Sequence, residues 1–306
     1  MKKKQAQKLL DQTIFEFGDV LADILFEAQH ILYTFKAVQD GEIISFDKKT
    51  NRYIHTSIVE WSHSVLATDL SSSTNPLFTL GGRWADRTSV VQRLPKTLNA
   101  ECRWLLVSAY EAYERFLGQL YAVSGYCDRN LWRCADYGND RAINQISEMT
   151  LNDFRDRVKK CKELSPTKIR KLLAHRFKIQ ITGSNNSKTE TMTHSEHIDL
   201  IALMRHIIVH EQSVIDPNEF FTRLEKQWGR TGPITEKLKN KIMRENFKQF
   251  ETEWNIWLVE HSTTPIQHIN ARRLEILIQD LGSHACIQYK KVVQYFGHAP
   301  YWERAQ

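Results

Sequence analysis

Between Leu98 and Leu120 the residues Leu98, Cys102, Leu105, Leu106, Ala109, Tyr113, Phe116, Leu117 and Leu120 recur at steps of three, four and one. That spacing lines one face of a 3.6-residue helix and fits no strand, whose side chains alternate with period two. Glu111, Glu114 and Arg115 fall outside the stripe. A helix with one continuous apolar face needs other elements to cover it. The rest of the chain supplies helices for this: 12 Gly and 7 Pro in 306 residues disfavour a turn-rich β fold, and 42% apolar residues suffice for a core. The length suits one large domain or two modest ones.

The periodicity predicts a long helix over about 5–38, with Leu9, Leu10, Ile14, Phe17, Leu21, Leu25 and Ile31 at helical spacing, ended by Asp40-Gly41. Glu42–Ser57 reads as a β-hairpin around 48–51. Residues 60–95 read as irregular, broken by Ser71–Pro76 and Gly81-Gly82, and mark a soft domain boundary. Further helices are expected over about 140–163, from Pro166 to near Lys178, from Ser195 to Ile215, over about 234–260 and from Pro265 to Phe296. Asp216-Pro217-Asn218 reads as a stop after the fourth of the helices that begin at Leu98, and Phe247, Phe250, Trp254 and Trp257 as core candidates after it. The stretch from Thr182 to Thr193 is polar. The expected architecture is all-α: an N-terminal helix and hairpin (1–95), an antiparallel helical bundle (96–261) and a helical extension (262–306).

Net charge is +6, but it is concentrated. From Arg155 to Lys178 ten basic side chains (Arg155, Arg157, Lys159, Lys160, Lys162, Lys168, Arg170, Lys171, Arg176, Lys178) face only Asp156 and Glu163. This gives +8 locally, so the remainder sums to −2. Such a run is either a solvated helix face or a surface for nucleic-acid phosphates. Five cysteines with no C-x-x-C pair suit a reducing cytosol. Acids at Asp11, Glu16, Asp19, Asp23 and Glu27 make the N-terminus an amphipathic helix and not a signal peptide. No uncharged apolar stretch approaches the ~18 residues of a membrane span. A cytoplasmic protein is expected, with no membrane partner. No glycine-rich phosphate loop is visible, and no cofactor is expected.

The segment Arg205-His206-Ile207-Ile208-Val209-His210 sets one arginine and two histidines on an otherwise apolar helix. At about 100° per residue, Ile198, Leu200, Ile201, Leu203, Met204, Ile207 and Ile208 cover roughly 220° of its circumference. The remaining arc holds Asp199, Ala202, Arg205, His206, Val209 and His210. A helix that apolar is packed on more than one side. Glu211 falls inside the apolar sector by this count, which implies a bend or tightening there. The bland alternative has Arg205 capping a neighbouring helix and the imidazoles bonded to carbonyls. A metal site is a further alternative, since His206 and His210 have i, i+4 spacing with His194, His197 and Glu211 nearby. Against it stand the fixed charge of Arg205, the missing H-E-x-x-H pattern and the lack of an assured third ligand.

Arginine, a polar residue, three apolar residues and histidine, as in Arg205–His210, resemble the R-polar-x(3)-H signature of HEPN-domain proteins. The following His210–Asp216 is similar to that family, although the family often has glycine where this chain has Ser213. Val107–Arg115 resembles the first bundle helix of the same family. The likeness covers roughly Leu98 to His261. It implies a homodimeric all-α bundle with two motif copies face to face. Many such proteins are metal-independent endoribonucleases in toxin–antitoxin, abortive-infection and antiviral systems, and others are non-catalytic binding modules.

RNA carries its own nucleophile, the ribose 2′-OH, so cleavage needs a base, positive charge at the phosphorane and an acid. On this expectation His210 is the general base or the proton-holding partner from the second protomer. Arg205 stabilises the transition-state phosphate, and His206 positions the phosphate or a histidine. Asp199 is a candidate for orienting His206. Glu111 and Glu114 are supporting partners, with solvated surface as their plainer reading. Arg155, Arg157, Lys159, Lys160, Lys168, Arg170 and Lys171 are candidates for flanking RNA phosphates, and an antitoxin or activator is a further expected partner. The alternative is a non-catalytic module binding RNA or protein, with Trp257, Tyr289, Tyr295, Tyr301 and Trp302 as its exposed aromatics.

Overall fold

The computed structural model describes residues 3–40, 42–47, 52–57, 60–68, 77–132, 148–161, 164–179, 192–229, 232–261 and 269–304. They are mostly helical. The expected turn at 48–51, the break at 71–76, the beginning of the helix expected from about 140, most of the polar stretch after 182, Cys134, Lys162 and the helix start at Pro265 lie outside these residues. By internal contacts the chain divides into two units. The first comprises Met1–Leu25, Arg103–Leu258 and Arg273–Gln306, and the second Phe26–Cys102 and Val259–Arg272.

In the second unit, β1 (Glu42–Asp47) pairs antiparallel with β2 (Arg52–Ser57), and β3 (Glu60–Thr68) with β4 (Leu77–Asp86). The last pair corrects the irregular reading of 60–95. Gly81 and Gly82 lie within β4 opposite Val65 and Ser64, where the register shifts. Glycines inside a strand mark a bulge and need not end it. Helix α2 (Arg87–Cys127) then begins well before Leu98, with Pro95 inside it. A proline forfeits one helical hydrogen bond, and here the helix continues past that loss. β8 (Glu260–His261) and β9 (Ile269–Asn270) also belong to this unit and pair antiparallel.

The first unit carries the helical core. α1 (Lys3–Asp40) contributes buried Leu10, Ile14, Phe17 and Leu21, and from Leu105 to Leu120 every residue of the α2 stripe is buried. α3 (Leu151–Lys160) starts at a capping box in which Thr150 and Asp153 satisfy each other's backbone N–H. α4 (Pro166–Arg176) starts from Ser165 with Pro166 in its first turn, where a missing N–H costs nothing. α5 (His194–His210) has a second capping box, Thr193 with Glu196. α6 (Pro217–Trp228) overturns the reading of Asp216-Pro217-Asn218 as a simple stop. The Asp216 carboxylate accepts from the N–H of Asn218 and Glu219, so the same three residues start a helix that ends at left-handed Gly229.

α7 (Glu236–Asn246) ends where a helix was expected to continue. β6 (Phe247–Phe250) and β7 (Glu253–Ile256) follow, and β7 pairs with both β6 and β5 (Val214–Ile215). The aromatics at 247, 250, 254 and 257 satisfy a helical spacing by chance. Phe247 is buried while Phe250, Trp254 and Trp257 are half-buried, as suits a small sheet rich in aromatic side chains. α8 (Arg272–Tyr295) packs Leu274, Leu277, Ile278, Leu281, Ala285, Tyr289 and Val293 inward. α9 (Tyr301–Arg304) follows it, and Arg304 Nη2 donates to Asp11 Oδ2 of α1 at 2.6 Å. No described helix is long and apolar enough to cross a membrane.

One buried titratable group ties α2 to α8. Tyr113 Oη and His284 Nδ1 are hydrogen-bonded at 2.8 Å, and both side chains are buried. Burial, with Arg170 and His194 adding repulsion, lowers the imidazole pKa from 6.5 to about 3. Between these values the unfolded chain binds a proton that the folded chain excludes. Stability from this group is therefore complete above about pH 6.5 and falls as pH drops, by up to about 1.4 kcal/mol per unit. Urea unfolding at about pH 7 and about pH 5.5 should show a loss of about 1 kcal/mol that shrinks in His284→Gln. Equal pH dependence in the two proteins would refute the assignment.

Candidate functional site

α5 is held on several sides. Its apolar residues Ile198, Leu200, Ile201, Leu203, Met204, Ile207 and Ile208 are all buried. His197 Nδ1 pairs with Asp280 of α8 at 2.6 Å, and Trp228 of α6 donates its indole N–H to the Glu196 carbonyl at 3.2 Å. The polar arc meets two different environments. At its N-terminal end Asp199 is buried and forms an ion pair with Arg170 of α4, whose guanidinium also donates to the Ser195 carbonyl. At its C-terminal end His206 and His210 are exposed, with ring centroids 4.7 Å apart.

This separation corrects two expectations. Asp199 does not orient His206, because it lies two turns away and its carboxylate is taken by Arg170. Burial pushes the Asp199 carboxyl above its usual pKa, and the neighbouring guanidinium only partly offsets that. Arg170 is itself buried and so cannot reach flanking phosphates. Of the other basic candidates, Lys159, Lys160 and Lys171 are exposed and Arg155, Arg157 and Lys168 half-buried.

Arg205 points toward α2. Its Nη2 donates to Glu111 Oε1 at 3.1 Å, while its Nε is buried with no hydrogen-bond partner. Glu111 is thus a direct partner of the motif arginine. Glu114, half-buried nearby, has a raised pKa from desolvation, which Arg205 opposes and Glu111 reinforces. His206 Nε2 lies 3.5 Å from Glu211 Oε1. Its pKa is lowered, first by desolvation and then by the positive charge of Arg223 and the neighbouring His210, so the neutral imidazole is favoured.

The end of α5 is shaped by a sharp exit. The helix stops at His210 with Glu211 as its C-cap, not at Ile215 as its apolar pattern suggested. Gln212 and Ser213 both take positive φ, 54° and 71°. Ser213 N–H donates to the Ile207 carbonyl at 3.2 Å, and its own carbonyl accepts from Ile256 N–H at 3.1 Å. Ser213 therefore occupies a left-handed position that glycine fills without steric cost. This exit takes Glu211 out of the apolar sector. α6 then brings Arg223 to the site, with Nη1 2.7 Å from Glu211 Oε1. Sequence reading missed Arg223 because α6 itself was not expected.

Among the described residues no group of three or more His, Cys, Asp and Glu side chains is placed to hold a metal ion. Of the aromatics expected to be exposed, Tyr289 is fully buried, Trp257, Tyr301 and Trp302 are half-buried, and Tyr295 is exposed. Comparisons with protein families, curated proteins and solved structures return no match to this chain.

Removing Asp199 alone leaves the Arg170 charge buried and unpaired. Asp199→Ala should therefore lower the unfolding free energy by about 3 kcal/mol or more, while Asp199→Leu combined with Arg170→Met recovers most of that loss. Denaturant unfolding measures both. A loss below about 0.5 kcal/mol for the single variant would return Asp199 to the candidates for orienting His206.

Proposed function

We propose that this chain is a metal-independent endoribonuclease of the HEPN type, acting as a homodimer in which two copies of the α5 arc form one cleft. The observation that carries the reading is the open end of α5. Two exposed imidazoles stand 4.7 Å apart, next to an arginine whose guanidinium is partly exposed and paired with the exposed Glu111 carboxylate. Histidine exchanges protons near neutral pH, and the arginine fork fits phosphate oxygens.

In this mechanism His210 takes the proton of the ribose 2′-OH as the 2′-oxygen attacks phosphorus. The P–O5′ bond breaks, and the 5′-oxygen receives a proton from a histidine of the second copy. The products are a 2′,3′-cyclic phosphate and a 5′-hydroxyl. Arg205 stabilises the charge on the phosphorane oxygens. His206, favoured as neutral before RNA binds, positions the phosphate by donating a ring N–H. A single copy presents few groups to a scissile phosphate, and an isologous dimer doubles them. Lys159, Lys160 and Lys171, with the half-buried Arg155, Arg157 and Lys168, offer positive charge for flanking RNA. A toxin or antiviral role, an antitoxin or activator partner and a cytoplasmic location extend the same resemblance.

A non-catalytic module binding RNA or protein is the second reading. It is favoured by one observation, the engagement of Arg205 by Glu111.

Incubation of the purified protein with end-labelled RNA in excess chelator separates the two. Cleavage with cyclic-phosphate ends is expected. Arg205→Ala and His210→Ala should each reduce it by about 100-fold or more, within the range of a lost acid–base or oxyanion group, with unchanged circular dichroism. Growth arrest on expression, relieved by the same substitutions, covers the case of a required activator. Full activity in either variant sinks the assignment, and a strict need for added divalent metal favours metal chemistry.

A further inference from the structure

The charged groups facing the open end of α5 are Arg205 and Arg223, set against Glu111, Glu211 and Glu219, with Glu114 beside Arg205. Carboxylates outnumber guanidiniums at a place read here as a phosphate site. Glu211 is the least expected of them. It sits at the C-cap of α5, where the helix dipole is negative and disfavours a carboxylate. The helix gains nothing from it, so its position needs another explanation.

Arg223 supplies one. Its Nη1 lies 2.7 Å from Glu211 Oε1 and 3.9 Å from Glu219 Oε1. The same Glu211 oxygen is 3.5 Å from His206 Nε2. One anionic oxygen therefore already lies against both groups, hydrogen-bonded to the guanidinium and at ion-pair distance from the imidazole, the place a phosphate oxygen would take. The other N–H groups of Arg223 meet no acceptor among the described residues, so the fork keeps donors in reserve.

We propose that Arg223 is a phosphate-binding residue of this site, held by the Glu211 carboxylate until an RNA phosphodiester displaces that carboxylate. The proposal rests on the reading of the site as one that binds RNA. Magnitudes permit the exchange. The pair is about one-third exposed on both sides, and breaking such a pair costs at most about fivefold in affinity. A phosphodiester that accepts from Arg223 and His206 together offsets that cost. The exchange also moves charge. With Arg223 turned to the phosphate, Glu211 faces His206 alone and favours its protonated form. The other charged or titratable groups facing His206 are His210 and Arg205 on its own helix. Ligand binding is therefore coupled to proton uptake at His206.

A fluorescein-labelled 2′-O-methyl oligoribonucleotide has no free 2′-OH and reports binding without cleavage. Anisotropy on the full chain should show binding weakened about tenfold in Arg223→Met, with a salt slope smaller by about one. Arg223→Lys keeps the charge but loses the fork and should lie between. Glu211→Gln should tighten binding about fivefold, and this gain should vanish in the Arg223→Met background. A gain that persists there means Glu211 acts only by general repulsion and overturns the proposal. Unchanged binding in Arg223→Met, or no binding of the probe by the wild-type chain, overturns it too. As an independent readout, the His206 ring resonance should titrate at higher pH in Arg223→Met than in the wild type, and a pKa that stays put argues against the contact. If these results hold while unmodified RNA is never cleaved, only the nuclease reading falls. If RNA is cleaved but the two substitutions act additively, only the role of Arg223 falls.

Discussion

The burial of α5 is the constraint on which the rest depends. Ile198, Leu200, Ile201, Leu203, Met204, Ile207 and Ile208 lose nearly all contact with water. Each fully buried aliphatic side chain of this size is worth roughly 1.5–3 kcal/mol. Their sum outweighs any ion pair on the same helix, so α5 is stationed by packing and its polar residues go where packing leaves them. α2, α4, α6 and α8 each send a side chain to it: Glu111, Arg170, Trp228 and Asp280. Beyond His194 at its start, the polar arc of α5 opens to solvent over the last turn and a half, at His206 and His210.

The two ends of one polar arc show how burial decides what a charged pair can do. Asp199 and Arg170 meet away from water, where losing one partner strands the other, and so they act as a fixed joint between α4 and α5. Arg205 with Glu111 and Arg223 with Glu211 meet in partly exposed positions. Water competes there, the pairs are weak, and their partners are open to exchange. The abrupt exit at Gln212 and Ser213 preserves this openness. A longer α5 would carry Val214 and Ile215 onward as helix, whereas they form a strand paired with β7. Two adjacent non-glycine residues with positive φ are a local cost, of order 1–2 kcal/mol each, that the paired sheet overrides.

Much of this was legible in the chain. The α2 stripe, the long α1, the start of α4 at Pro166 and the wide apolar sector of α5 all follow from side-chain period, because burial selects a face and the face recurs every 3.6 residues. The placing of His206 and His210 together on one polar arc follows from the same projection. Elsewhere local pattern misled. Phe247, Phe250, Trp254 and Trp257 fit a helical spacing yet belong to or flank strands. Gly81-Gly82 looked like a break and sits in a paired strand. Asp216-Pro217 looked like an end and caps a beginning. In each case a short signal served two structures equally well, and contacts remote in sequence made the choice.

The amino-acid order by itself determined that α5 is a buried helix with a narrow polar arc, since periodicity and hydrophobic transfer act on any such segment wherever it packs. Only the tertiary structure decided which members of that arc are sealed and which remain free. Asp199 is spent because α4 delivers Arg170 to it, and His206 gains Glu211 and Arg223 because the chain turns at Ser213 and returns as α6. Electrostatic partners depend on distances of a few ångströms between segments far apart in sequence, and chain folding alone sets those distances.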